Sequence, residues 1–173
     1  ARNLLAGASV GDYALFAGGN AGGSYSSVVD AYDTDLTRTT PTALSAARDA
    51  LAGASVGDYA LFAGGHAGSY SSVVDAYDTD LTRTTPTALS AARNLLAGAS
   101  VGDYALFAGG NAGGSYSSVV DAYDTDLIRS TPTVLSTARR DLAGASVGDY
   151  ALFAGGWTGS AYSAVVDAYD TDL

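Results

Sequence analysis

The stretch LAGASVGDYALFAGG, Leu5–Gly19, carries the pattern that decides the fold. Leu5 to Val10 is a run of small and branched residues, Gly11-Asp12 interrupts it, and Tyr13 to Ala17 is almost continuously apolar before Gly18-Gly19. Two short runs separated by two residues, one of them Gly, read as a β-hairpin, because Gly supplies the positive φ that tight turns need. An unbroken apolar run suits a strand covered on both faces. Working outward, Gly18-Gly19 opens a Gly/Ser loop, and a third strand is predicted from about Tyr25 to Tyr32. Asp33-Thr34-Asp35 then turns the chain into a fourth strand, predicted from about Leu36 to Leu44. That strand contains Pro41, which cannot donate to a ladder, so it belongs on an edge. Pro86 and Pro132 place the next two copies likewise.

The pattern recurs. Its phrase begins at Leu5, Leu51, Leu96 and Leu142, in steps of 46, 45 and 46 residues, and VVDAYDTDL ends at Leu36, Leu81, Leu127 and Leu173. The chain therefore reads as one unit, 1–173, with repeats at about 1–46, 47–91, 92–137 and 138–173, the last without its fourth strand. A four-stranded unit of this period, small residues first and Pro last, is expected to be a β-propeller blade. Small residues suit inner strands crowded around an axis, and the Pro-bearing strand suits the rim. Residues 1–36 and 92–127 are identical, which implies very recent duplication or deliberate design, with design or reconstruction the favoured origin.

In these motifs the sequence resembles the kelch family over essentially its whole length. That repeat has an Arg before the first strand, a hydrophobic run ending in Gly-Gly, a Tyr, then a Trp. The chain offers Arg2, Gly18-Gly19 and Tyr32, then Arg48, Gly64-Gly65 and Tyr77. The set returns at Arg93, Gly109-Gly110 and Tyr123, and at Arg139, Gly155-Gly156 and Tyr169. No aromatic stands near Arg38 or Thr39, where the Trp would fall. The resemblance implies a propeller fold and leaves function open, since kelch propellers are binding platforms and occasionally oxidases.

Composition narrows the classes. There are 22 Gly and 12 Tyr, no Cys or Met, and all 18 acids are Asp against 8 Arg. Asp favours turns where Glu favours helices, so the class is all-β. A net charge of −10 disfavours nucleic acid and anionic membrane surfaces as partners. Without Cys there is neither a disulfide nor a thiolate metal site. No apolar run reaches the roughly 20 residues of a membrane span. The start, Ala1-Arg2-Asn3, has no initiating Met and does not read as a signal peptide, so a processed, trimmed or incomplete front is expected, and no compartment is indicated.

An open arc of four blades would expose an apolar face at each end. Closure is expected from four blades in one chain or from two chains making eight. Four blades meet at about 90° and need bulky fillers, whereas eight meet at about 45° and pack closer to parallel. With Ala, Gly, Ser and Val inside and one Phe per repeat, a C2 homodimer of eight blades is preferred.

Two clusters of difference between repeats stand out, Asn20, His66, Asn111 and Trp157 after the second strand, and Asn3, Asp49, Asn94 and Arg140 before the first. Both loops leave an up-and-down blade on one side. A ligand face is thus the candidate site, with Arg2, Asn20, Arg48, His66, Arg93, Asn111, Arg139 and Trp157 as members and a glycan or peptide as ligand. The competing reading is neutral variation in tolerant loops. Arg2, Arg48, Arg93 and Arg139 could ring the axis mouth, or pair between blades with Asp12-type residues. Asp30, Asp33 and Asp35 offer closely spaced oxygens to Ca²⁺, but turn hydrogen bonding and pairing with Arg38, Arg83 and Arg129 explain them more simply. His66 stands alone, with no Ser or Asp context announcing catalysis. The expectation is a non-catalytic self-assembling scaffold without cofactor or metal, and a ligand-binding module is the alternative.

Overall fold

A computed structural model describes all residues from 1 to 173. The chain forms strands and turns and no helix, so no helix is long and apolar enough to cross a membrane. In the first repeat Ala6–Val10 pairs antiparallel with Tyr13–Ala17, and Val10 faces Tyr13 across the Gly11-Asp12 turn. Tyr13–Ala17 pairs in turn with Val29–Tyr32, which carries the two-residue strand Arg38–Thr39 on its outer edge. The second and third repeats build the same four-stranded sheet, and the fourth stops at three strands, Ala143–Val147, Tyr150–Ala154 and Val166–Tyr169. This repeated-blade architecture fits a β-propeller.

Both hairpin strands fall where the sequence puts them; the outer half of the blade differs. The third strand starts at Val29 rather than Tyr25, because Ser24–Tyr25 folds back on Asn20–Ala21 as a separate small hairpin. Gly22 and Gly23, at φ of 63° and 92°, make that turn. The second repeat is one residue shorter here and keeps a single bridge, His66 to Tyr70. The fourth strand is Arg38–Thr39 and not Leu36–Leu44. Beyond Thr39 the chain crosses to the next blade and buries Leu44 between the two sheets. The turn before it closes on Leu36 at φ 60°, a left-handed leucine that recurs at Leu81 and Leu127.

Successive first strands lie side by side around the axis. A Cβ at Gly53 would drive into the carbonyl of Gly7, and one at Gly98 into that of Gly53, so Gly there sets how closely the blades approach. A serine clamp adds direction: Ser55 Oγ donates to the Ser9 carbonyl at 2.6 Å and accepts from the Ser9 amide at 3.1 Å. Ser100 and Ser146 repeat the clamp on the blade before each.

The core lies between blades. Each junction joins the rear of one sheet to the front of the next. At the first, Val10, Leu15, Val29 and Ala31 meet Ala60, Phe62 and Tyr77, with Leu44 and Leu51 sealing the gap. Two equivalent clusters join the second blade to the third and the third to the fourth.

Candidate functional site

Asp in an apolar strand such as VVDAY must be paired or strongly destabilising. Asp75 and Asp121 are fully buried, and each holds the arginine that precedes its own blade. Arg48 Nη1 donates to Asp75 Oδ2 at 2.8 Å, its Nε to the Gly64 carbonyl at 2.8 Å and its Nη2 to the Phe62 carbonyl at 3.0 Å. Arg93 reaches the equivalent Asp121 and Phe107 carbonyl with Nη2 alone, at 2.8 and 2.9 Å. Arg139 lies 2.8 Å from Asp167, and Arg2 pairs with Asp30 at the half-covered front of blade 1. The free oxygen of each carboxylate accepts the amide of the incoming linker, Ser45 on Asp75 and Ser90 on Asp121. These pairs tie each linker to the blade it enters.

This geometry corrects two expectations. Arg48, Arg93 and Arg139 have no exposed surface, so they are not a cationic ring at the axis mouth. Their partners are Asp75, Asp121 and Asp167 of the same blade and not Asp12-type residues across a junction. Burial pulls the Arg93 guanidinium below its ordinary value, and Asp121 opposes that shift. Burial also raises the phenols of Tyr77 and Tyr123 well above their ordinary value, and that of Tyr169 to about 12.

The Asp33 group behaves as turn chemistry. Asp33 Oδ1 accepts the amides of Asp35 at 3.0 Å and Thr37 at 2.8 Å, while Arg38 reaches Asp30, 3.4 Å away. No cluster of three or more His, Cys, Asp or Glu is placed to hold a metal ion.

The two variable clusters do meet. Asn3 and Asn20 exchange backbone hydrogen bonds, and so do Asp49 with His66, Asn94 with Asn111, and Arg140 with Trp157. Asn20 and Asn111 use their side-chain carbonyls on the Gly23 and Gly114 amides, so part of their polarity is spent on the local hairpin. Next to them stands a row of aromatics that the sequence reading left out. Tyr25 Oη lies 2.9 Å from His66 Nδ1, and the Tyr70 ring meets His66 edge-on, with 5.8 Å between ring centres. Arg140 covers the Tyr116 ring at 5.5 Å, and Trp157 stacks edge-on with Tyr162 at 4.9 Å. The Gly-Ser-Tyr that closes the loop at Tyr25, Tyr70 and Tyr116, and returns at Tyr162 with Ala161 inserted, was the available signal.

The other notable surfaces are the two ends of the arc. On blade 1, Phe16 is 42% exposed, whereas Phe62, Phe107 and Phe153, which meet a preceding blade, are fully buried. A hollow of about 640 Å³ lies over Leu5, Ala14, Phe16, Asp30 and Tyr32. On blade 4, Ala143–Val147 is exposed along its whole length, and Val147 and Val166 are 60% and 57% exposed. Comparison with protein-family models and with curated proteins gives no match to either.

Proposed function

We propose that the chain is a non-catalytic, kelch-like propeller scaffold whose activity is self-assembly: two copies close an eight-bladed ring. One observation carries the proposal. The bare front of blade 1 and the bare rear of blade 4 are the two halves of an interface already made three times within the chain. In the ring, blade 4 of each copy seats on blade 1 of the other, and both exposed faces disappear. The near-identity of the repeats supports this, because any junction then serves as template for any other, and it suits a designed or recently duplicated origin.

The absence of cysteine makes a clean test available. Ser9 and Ser55 hydroxyls lie 3.4 Å apart across an internal junction, and Ser9 and Ser146 are the corresponding pair across a junction between copies. The variant Ser9→Cys/Ser146→Cys is expected to oxidise to a covalent dimer on a non-reducing gel. An intrachain disulfide would instead mean four blades closing on themselves, and unreacted thiols would mean an arc that stays open.

A second reading is favoured by the aromatic row beside the variable loops: that this face binds a glycan or a peptide. Planar rings such as Trp157 and the 87% exposed Tyr162 are the kind of surface that anchors such ligands. Hits on a glycan or peptide array that vanish in Trp157→Ala support it; hits indifferent to that change count against it.

A further inference from the structure

We infer that the row Arg140, Trp157 and Tyr162, with Asp141 beside it, is a subsite for a neutral sugar bearing two adjacent free hydroxyls. The inference rests on the reading of the variable loops as a ligand face, and it selects the glycan over the peptide.

Every blade builds such a row from the residue entering the first strand, the residue after the second and the loop tyrosine. In blade 1 Asn3 pairs with Asn20 and Asn20 with Tyr25; in blade 3 the row is Asn94, Asn111 and Tyr116. In blade 4 the same pairing joins Arg140, Trp157 and Tyr162. Residues directly opposite in an antiparallel pair share a face, so these three side chains stand together.

The change in blade 4 is coordinated. In blades 1 and 3 the asparagine caps its own hairpin, Asn20 Oδ1 accepting the Gly23 amide and Asn111 Oδ1 the Gly114 amide. In blade 4 Thr158 takes that task, its Oγ1 accepting the Ala161 amide at 3.2 Å and donating to the Ala161 carbonyl at 2.9 Å. Position 157 is thereby released from capping and carries the only tryptophan of the chain.

Arg140 departs in the same way. The other arginines recur from blade to blade and hold Asp30, Asp75, Asp121 or Asp167. Arg140 stands where the other repeats have Asn3, Asp49 and Asn94, and Asp141 where they have Leu4, Ala50 and Leu95. The Arg140 guanidinium lies over the Tyr116 ring, and its Nη1 donates to Asp141 Oδ2 at 2.8 Å. Both side chains stay accessible, at 32% and 47% exposure. None of Arg140, Asp141 and Trp157 belongs to a cluster between blades. Three residues that the fold does not use therefore meet at one point in a chain of near-copies.

Their chemistry selects the ligand. The face of an indole accepts the C–H face of a sugar ring. A guanidinium only donates and a carboxylate only accepts, so the pair matches two adjacent hydroxyls. One hydroxyl accepts from Arg140, and its neighbour donates to Asp141 Oδ1, which accepts nothing within the chain. A carboxylate on the ligand would instead face Asp141 and a chain of net charge −10.

Trp157, as the single tryptophan, reports on the subsite by its own fluorescence. Neutral oligosaccharides that score on a glycan array are titrated into the full chain. Beside them run versions O-methylated at the adjacent hydroxyls and versions ending in a uronic acid. The variants Arg140→Asn and Asp141→Leu carry the residues of blades 1 and 3, so they keep a local structure the chain already forms. A saturable shift of the Trp157 emission is expected with the neutral sugars. O-methylation, the uronic acid and either variant should each weaken it about tenfold or more, with cooperative melting retained. Binding indifferent to O-methylation and to both variants, or tighter binding of the uronic acid, overturns the proposal. A blank glycan array with peptide-array hits lost in Trp157→Ala overturns the sugar and leaves the ligand face. Blank arrays of both kinds overturn both.

Discussion

Arg93 and Asp121 leave water completely, and that makes them expensive to separate. Removing one partner of a buried ion pair strands the other charge and typically costs about 3–5 kcal/mol, while replacing both by apolar groups of similar size is often neutral. Asp121→Ala is therefore expected to lower stability by about 3–5 kcal/mol, and Arg93→Met/Asp121→Leu by much less, measured by denaturant unfolding of the two variants and the parent. A double variant as unstable as the single would mean that the pair is not the reason for the loss. Asp167 adds a pH dependence. Burial pushes its carboxyl up, but hydrogen bonds from Ser136 and Arg139 outweigh burial and hold it below the usual carboxylate range. A depressed folded value gives stability that is present above the unfolded value, about 4, and is lost as the pH falls through the folded one. Melting temperatures of the parent and of Asp167→Asn should thus converge in acid and separate above pH 5; a constant gap would contradict the linkage. The sequence showed that a polar residue sat in an apolar strand. It could not show which arginine met it, because Arg93 and Asp121 are joined by register across the sheet and not by proximity in the chain.

At the scale of elements, the Asp78 turn in the second blade shows what the acidic groups do. Asp78 Oδ1 accepts the amides of Asp80 and Thr82 at 3.0 and 2.8 Å. Asp78→Ala leaves two amides to be satisfied by water and is expected to cost about 1–2 kcal/mol by denaturant unfolding. Millimolar calcium is expected to leave the melting temperature unmoved; a large rise reversed by a chelator would show that these carboxylates are ligands rather than turn acceptors. The first hairpin was legible almost to the residue, since Gly11-Asp12 and the flanking runs leave one register. The outer strand was not. Pro41 correctly marked an edge, but nothing local separates a rim strand from a segment leaving the sheet, and Leu44 belongs to the junction with the next blade. The small Asn20–Tyr25 hairpin was hidden for a related reason: its two strands are two residues each, too short for any period to register.

For the whole molecule, the repeated-blade architecture followed from the period and the position of small residues, and the proposed closure between copies turns on the front of blade 1. Gly7 isolates it. A Cβ at Gly7 meets Phe16 Cε1 at 3.6 Å, an ordinary contact, because no blade precedes it within the chain. A blade seated there would bring its own glycine carbonyl against that Cβ, as Gly7 itself does at Gly53. Gly7→Val is therefore expected to leave the chain folded, with cooperative unfolding retained, and to prevent closure between copies. The mass of the unaltered chain in solution, by light scattering over a wide concentration range, tests the account most directly. Two copies closing one ring give about 34 kDa, twice the 17.2 kDa of the chain, with no growth to larger species. A strict monomer at every concentration would contradict the eight-bladed ring.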